Sequence, residues 1–114
     1  IDPANPDIHI GDHAPDGSQI RPYVVFFNEN LNSGVLKAAV TAIREADIMV
    51  VIGCSLKVFP AARMIEDLRE DATLIVIDPS EPTLSSGHHY TYLQQKATVG
   101  MKILEIVLKE KQPY

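Results

Sequence analysis

Two apolar runs in this chain each end in residues that could hold a sugar or a phosphate. Gly53-Cys54-Ser55 follows the run 48–52, and Asp78 follows the run 73–77. A glycine allows close backbone approach, a serine hydroxyl can donate to a phosphate or ribose oxygen, and a carboxylate can accept two hydrogen bonds from ribose hydroxyls. The pattern indicates a nucleotide-type site beyond the carboxyl ends of two strands. A structural role, with Gly53 in a tight turn and Asp78 starting another, explains it about as well, because the full Gly-x-Gly-x-x-Gly fingerprint is absent.

The elements that must position these residues follow from the spacing of apolar side chains. We predict strands over 23–27, 48–52 and 73–77, and a possible edge strand near 90–93. The run 48–52 lacks alternation, which is typical of a strand covered on both faces. Three helices are predicted from apolar residues at helical spacing. These residues are Leu36, Ala39, Val40, Ile43 and Ala46; Ala61, Met64, Ile65 and Leu68 after Pro60; and Ala97, Met101, Leu104 and Leu108.

This alternation of strands and helices predicts an α/β fold, a three-layer Rossmann-like parallel sheet flanked by helices. Residues 1–22 contain four of the eight prolines and no apolar periodicity, so we predict an irregular N-terminal segment there. Residues 23–114 then form the Rossmann-like part.

The composition and charge of the chain argue against several classes of protein. The 114 residues are 46% hydrophobic and 22% charged, which is typical of one folded domain and excludes a disordered chain. The net charge of -5 provides no basic surface for nucleic acid. The longest apolar run, 48–52, is far shorter than the ~20 residues that span a bilayer, so we predict no membrane partner. A single cysteine, Cys54, excludes an internal disulfide and fits a reducing compartment, so we expect a cytoplasmic location.

Three segments that follow one another along the chain carry a recognisable pattern of motifs. They are Gly17-Ser18-Gln19-Ile20-Arg21-Pro22-Tyr23-Val24-Val25-Phe26-Phe27-Asn28-Glu29, then Ala46-Asp47, then Ile52-Gly53-Cys54-Ser55-Leu56-Lys57-Val58-Phe59-Pro60-Ala61. In order and spacing they resemble the C-terminal half of the catalytic core of sirtuins, the NAD-dependent protein deacylases. That family has a Gly-Gly-x-Leu-Arg-Pro entry, a Val-x-Phe-Gly-Glu loop, an Ala-Asp pair and a Gly-Thr-Ser-Leu-x-Val-x-Pro-Ala stretch. The resemblance extends from about Gly17 to the final helix.

The resemblance implies an NAD site. Gly53 and Ser55 would face the adenine ribose and phosphates, with Cys54 at the usual threonine position. Asp78 stands where the family commonly has asparagine; its carboxylate could bond ribose hydroxyls but would repel a nearby phosphate. The turn before the last helix, which in sirtuins lies against adenine, matches Ala97, Thr98 and Val99.

The resemblance also implies a site for an acyl-lysine peptide. Val25 and Phe27 match the apolar walls of the acyl-lysine tunnel, although an ordinary core or loop role is the simpler expectation for each of them alone. Asn28 replaces the family's glycine, and asparagine tolerates positive φ. Asn28 and Glu29 match one edge of the peptide groove, and the other edge matches Lys57 and Val58.

The first half of the sirtuin pattern has no counterpart in these 114 residues, including the His-Gly of the catalytic base. We expect His9, His13, His88 and His89 to be solvated loop residues, and no metal site, because the second zinc-binding pair would fall at His13 and Asp16. The chain is therefore expected to be the C-terminal part of a longer deacylase, inactive alone, that self-associates through exposed apolar surface.

Two alternatives remain open. The chain could be a catalytically inactive module that binds NAD or ADP-ribose. It could also be a middle domain of a thiamine-diphosphate enzyme or an electron-transfer flavoprotein, which share this sheet plan but do not explain the Val-x-Phe-x-Glu and Val-x-Pro-Ala motifs.

Overall fold

A computed structural model describes residues 7–84 and 86–110, and the chain divides into two compact units, Ile1–Asn32 and Ser33–Tyr114. In the first unit, residues 7–32 form turns and one isolated antiparallel bridge between His13 and Gln19. Asp16 stabilises the turn of this small hairpin, since its Oδ1 accepts hydrogen bonds from the Ser18 amide at 3.0 Å and the Ser18 hydroxyl at 2.6 Å. These hydrogen bonds lower the pKa of Asp16, the one from the hydroxyl most strongly.

The prediction of a strand over 23–27 is wrong. Residues 23–26 adopt no regular secondary structure, and residues 27 and 28 form a turn. Val25 and Phe27 are 49% and 85% exposed, so neither packs in a core, and both lie in an irregular loop. A β-branched and aromatic composition favours a strand only where a partner strand is available to pair with it, and none pairs with this segment among the described residues.

The second unit contains the predicted alternation of helices and strands. Its elements are α1 (Ser33–Glu45), β1 (Ile48–Ile52), α2 (Ala61–Met64) followed by a 3-10 turn (Ile65–Asp67), β2 (Thr73–Ile77), β3 (Tyr90–Leu93) and α3 (Ala97–Glu110). The helix predicted after Pro60 is shorter than expected. The backbone of Leu68, predicted to be helical, is extended, although this residue is buried at 3% exposure. In the described part of the chain, no helix has the length and apolar character needed to cross a membrane.

The sheet of the second unit is parallel. Its strand order is β1-β2-β3 and both neighbouring pairs run parallel, which confirms the predicted Rossmann-like class. β2 is the central strand and is the most buried, with Val76 and Ile77 fully covered. The sheet therefore presents three carboxyl ends along one edge.

Alternate side chains of β2 face two separate apolar layers. Leu74 and Val76 pack in one cluster with Ile65 and Leu68 from the segment of α2 and the 3-10 turn. Ile75 and Ile77 pack in the other cluster with Leu104 of α3. This period-2 division places helical segments on both faces and gives the three layers predicted from the sequence.

The expectation that β1 is covered on both faces is only partly met. Val51 is 7% exposed, but Ile48 and Ile52, at the two ends of the strand, are 47% and 39% exposed. β1 lies at the edge of the sheet in the described residues, so fewer elements pack against it than against β2.

Candidate functional site at the carboxyl edge of the sheet

The carboxyl ends of the three strands lie side by side. Ile52 pairs with Ile77, and Ile77 pairs with Leu93, so the last residues of β1, β2 and β3 are in register. The hydrogen bonding continues beyond the strands, because the amide of Gly53 donates to the carbonyl of Ile77 at 2.9 Å and that of Asp78 to the carbonyl of Leu93 at 3.2 Å. The turn at Gly53 and the turn at Asp78 are therefore direct neighbours.

The turn after β1 is held by two residues with positive φ. Gly53 has φ 59° and Leu56 has φ 55°, a conformation that is costly for a leucine. The Leu56 side chain is 8% exposed and packs in the core, which offsets that cost. Cys54 also packs against this core, whereas Ser55 is exposed. Of the predicted residues in this turn, Ser55 thus presents its side chain to solvent, and Cys54 has mainly its backbone to offer a ligand.

The turn after β2 is organised by Asp78. Its Oδ1 accepts a hydrogen bond from the Ser80 amide at 2.8 Å, and its side chain is half-buried. Two residues, one in β3 and one directly after it, contact the same turn. The Tyr92 hydroxyl donates to the Asp78 carbonyl at 3.0 Å, and the side-chain nitrogen of Gln94 donates to the Pro79 carbonyl at 3.3 Å. The carboxylate retains Oδ2 for a further donor.

The third part of this edge is the start of α3. Ala97, Thr98 and Val99 form its first turn and are all exposed. The Lys96 carbonyl accepts from the Val99 and Gly100 amides at 3.1 and 2.9 Å, and only residues 94–96 separate the end of β3 from the helix. The predicted nucleotide-binding residues are all exposed or half-buried at this one edge of the second unit.

The predicted peptide-binding residues of the first unit lie in a loop closed by an ion pair. The Arg21 guanidinium donates to both Glu29 carboxylate oxygens, at 2.9 and 3.2 Å, and to the Val24 carbonyl at 3.0 Å. Asn28 has φ 67°, as the replacement of a glycine at this position requires. Val25, Phe27, Asn28 and Glu29 are all exposed, so their side chains and backbone are accessible within this unit.

The other two predicted peptide-binding residues belong to the second unit. Lys57 and Val58 follow the Gly53–Leu56 turn directly, and both are exposed. The Val58 carbonyl accepts from the Ala62 amide at 3.0 Å, which links this segment to the start of α2.

The histidines and acidic residues of residues 7–84 and 86–110 include no group of three or more that could hold a metal ion. His88 is half-buried rather than solvated, because its Nε2 is hydrogen-bonded to the Leu68 carbonyl at 2.9 Å. His9 lies beside Asp12, with 3.6 Å between Nδ1 and Oδ2. His13 and His89 are exposed, as expected.

Sequence reasoning missed the structural roles of four residues: Arg21, Leu56 and Tyr92, which shape these loops, and Gly100, which packs α3 against β2. Arg21 lies in the segment 17–29 that resembles the sirtuin motifs, but the spacing of the residues in that segment does not show that Arg21 pairs with Glu29. Gly100 lies against Ile77 so closely that a Cβ would overlap the Ile77 methyl group. A glycine inside a predicted helix was the one available signal, since glycine costs about 1 kcal/mol relative to alanine there and so suggests a packing reason.

Together, the fold and this edge define a Rossmann-like α/β unit of the kind that binds ligands beyond the carboxyl ends of parallel strands. The Sir2 family model matches residues 6–60. The chain is 32% identical over 108 residues to an NAD-dependent protein deacylase of Bacteroides thetaiotaomicron, covering 95% of this chain and 45% of that protein. It is 33% identical to an NAD-dependent protein deacylase of Helicobacter pylori, covering 86% of this chain and 42% of that protein. The chain belongs to the Sir2 family.

Solved structures agree with this assignment. The crystal structure of a Sir2 homologue in complex with NAD superposes with a TM-score of 0.70 at 30% identity, over 87% of this chain and 39% of that chain. A Sir2 protein bound to a propionylated peptide superposes with a TM-score of 0.63 at 29% identity, over 84% of this chain and 41% of that chain. The chain thus spans less than half the length of these relatives.

Proposed function

We propose that this chain contributes the adenosine side of the NAD site, and part of the peptide site, to an NAD-dependent protein lysine deacylase. Support comes from family membership and from relatives named as NAD-dependent deacylases and deacetylases. The observation that carries the proposal is the 2.9 Å hydrogen bond from the Gly53 amide to the Ile77 carbonyl. It makes the serine turn and the aspartate turn neighbours, as one nucleotide spanning both turns requires.

The residues at this edge fit the adenosine half of NAD. A Cβ on Gly53 would have no atom within 4 Å, so there is open space at this turn for a ligand to approach the backbone. Ser55 can donate to a ribose or phosphate oxygen, and Oδ2 of Asp78 can accept from a ribose hydroxyl. Val99 is 46% exposed at the start of α3 and offers an apolar surface to a base. The negative charge of Asp78 disfavours a phosphate close to it.

The chemical role of the chain is to hold reactants in position. When bound, NAD would supply the ribose carbon that the acyl oxygen of the substrate attacks as nicotinamide leaves. Ser55 and Asp78 would hold the adenosine end, while Val25 and Phe27 would contact the acyl-lysine stem and main-chain groups would bind the peptide backbone. Residues that hold NAD or the acyl-lysine in position would contribute to catalysis through proximity. We assign proton abstraction to a part of the enzyme outside these residues.

Calorimetric titration of the 114-residue chain tests the nucleotide part of this proposal. ADP-ribose, NAD and adenosine are expected to bind, whereas nicotinamide mononucleotide, which lacks adenosine, is expected to bind much more weakly. Ser55→Ala should weaken ADP-ribose binding about fivefold through the lost hydrogen bond. Thr73→Ala is the matched control, because it removes an exposed hydroxyl at the opposite end of β2. Absence of binding by all three adenosine ligands would overturn the proposal.

The same chain is expected to show no NAD-dependent turnover of an acetyl-lysine peptide. Turnover by this polypeptide alone would contradict the assignment of the general base to another part of the enzyme. The inactive NAD or ADP-ribose module remains the second candidate. It is supported if the complete protein encoded by the gene binds these ligands without deacylating a peptide.

A further inference from the structure

We infer that Tyr92 is a positioning residue for the nucleotide site: its hydroxyl holds the Asp78 turn in the shape that directs the carboxylate towards a ribose. This inference rests on the proposed nucleotide site and names a residue that neither the motifs nor the family resemblance singled out. The carrying observation is the 3.0 Å hydrogen bond from the Tyr92 hydroxyl to the Asp78 carbonyl.

Tyr92 acts within a set of contacts from β3 to the Asp78 turn. The Leu93 carbonyl accepts from the Asp78 amide at 3.2 Å, and the Gln94 side chain donates to the Pro79 carbonyl at 3.3 Å. Three successive residues of β3 and the segment after it thus contact two successive residues of the turn. The main-chain hydrogen bond sets the position of the strand end, whereas the Tyr92 hydroxyl gives Asp78 a hydrogen bond from a side chain.

The ring of Tyr92 is well placed to serve as a rigid support. It packs against the apolar cluster that contains Leu74 and Val76 of β2, so the position of the hydroxyl is coupled to the core of the sheet. Burial of the ring, followed by the charges of Glu81 and Asp78, raises the pKa of Tyr92. The hydroxyl is therefore protonated at neutral pH and available to donate.

The consequence for Asp78 is geometric. Its carboxylate is oriented by the hydrogen bond that Oδ1 accepts from the Ser80 amide at 2.8 Å, and this bond depends on the shape of the turn. Loss of the Tyr92 donor frees the Asp78 carbonyl to rotate, which moves the carboxylate relative to the Gly53–Ser55 turn. A ribose that must reach both turns would then bind less tightly, because the site has to be ordered on binding.

Tyr92→Phe removes this hydroxyl and leaves the packed ring in place. Tyr90→Phe is a closely matched control, since Tyr90 lies two residues earlier on the same strand and its hydroxyl donates to the Glu81 side chain at 2.7 Å rather than to Asp78. Binding of ADP-ribose and adenosine is measured by calorimetry. Exchange of the Ser80 amide hydrogen is measured by NMR.

For Tyr92→Phe we expect ADP-ribose and adenosine to bind about three- to tenfold more weakly, and the Ser80 amide to exchange about fivefold faster. Tyr90→Phe should leave both quantities within twofold of the unsubstituted chain. Equal affinity of the unsubstituted chain and Tyr92→Phe overturns the inference while the proposed function stands. No binding of either ligand by the unsubstituted chain overturns the proposed function. In that case the exchange rate of the Ser80 amide tests only whether Tyr92 holds the shape of the Asp78 turn. An unchanged exchange rate in Tyr92→Phe overturns that role.

Discussion

Arg21 and Glu29 are joined by two parallel hydrogen bonds, Nη1 to Oε1 at 2.9 Å and Nη2 to Oε2 at 3.2 Å. The guanidinium carbon also lies 4.6 Å from the centroid of the Phe26 ring, and the Glu29 carboxylate accepts from the Phe26 amide at 3.4 Å. The pair therefore closes the loop that carries the proposed acyl-lysine contacts. A bidentate geometry of this kind is specific to arginine, since lysine has no planar fork.

This ion pair makes the order of the loop dependent on pH. The hydrogen bond from Arg21 is the main cause that lowers the pKa of Glu29 in the folded state. A lowered pKa stabilises the folded loop above the ordinary glutamate pKa, and the effect is lost as the pH falls through the lowered value. We expect ¹⁵N relaxation of residues 24–28 to report faster motion only under acidic conditions. Glu29→Gln should show that motion already at neutral pH, and Arg21→Lys should show part of it. Identical relaxation in all three chains would contradict a closing role.

Replacing Gly100 with alanine is expected to destabilise the fold, because Gly100 packs closely against Ile77. A Cβ at Gly100 would overlap the Ile77 side chain, and overpacking of this kind costs about 1–3 kcal/mol. The gain of about 1 kcal/mol from better helix propensity would cancel that cost only at the lower end of this range, and the severe overlap with the Ile77 methyl carbon favours the upper end. Denaturant unfolding of Gly100→Ala should therefore give a lower midpoint. Gly87→Ala is the control, since no atom lies within 4 Å of a Cβ there, and its midpoint should change little. A Gly100→Ala chain as stable as the parent would show that α3 can move away from β2 at no cost.

Asp78→Asn should favour ligands that carry phosphates. The amide oxygen of asparagine can keep the hydrogen bond from the Ser80 amide, while the negative charge is removed. Repulsion across about 6–8 Å in water amounts to roughly 0.5–0.7 kcal/mol, so ADP-ribose should bind about threefold more tightly at low salt. Adenosine, which has no phosphate, serves as the control, and its affinity should not rise. If adenosine also bound more tightly to Asp78→Asn, the change in affinity would come from an altered shape of the turn rather than from the lost charge.

Self-association is expected through apolar side chains that the second unit leaves exposed on α3. Val99 and Ile106 are 46% and 58% exposed and lie seven residues apart, on one face of the helix. Light scattering of the chain should show a mass that rises with concentration, and Ile106→Lys should reduce that rise. Glu105→Ala is the control, because Glu105 is exposed and lies about 100–120° around α3 from Val99 and Ile106. A monomer at all concentrations would contradict this expectation.

The second unit could be predicted in outline because its signals are local. The helices α1 and α3 and the strands β1, β2 and β3 follow from apolar residues at helical spacing or in short runs between turn residues. The same reasoning failed at residues 23–27, where an equally apolar run remains exposed. Composition shows that such a segment can form a strand, but it does not show whether another strand is available to pair with it.

By itself, the sequence determined the order of the elements and the residues at the strand ends, since both depend on neighbours along the chain. Tertiary structure alone decided that Gly53 adjoins Asp78, that Tyr92 donates to a carbonyl 14 residues away, and that Arg21 closes a loop onto Glu29. These contacts depend on strand register and on side-chain reach across folded segments, and a one-residue shift in register would remove the first two.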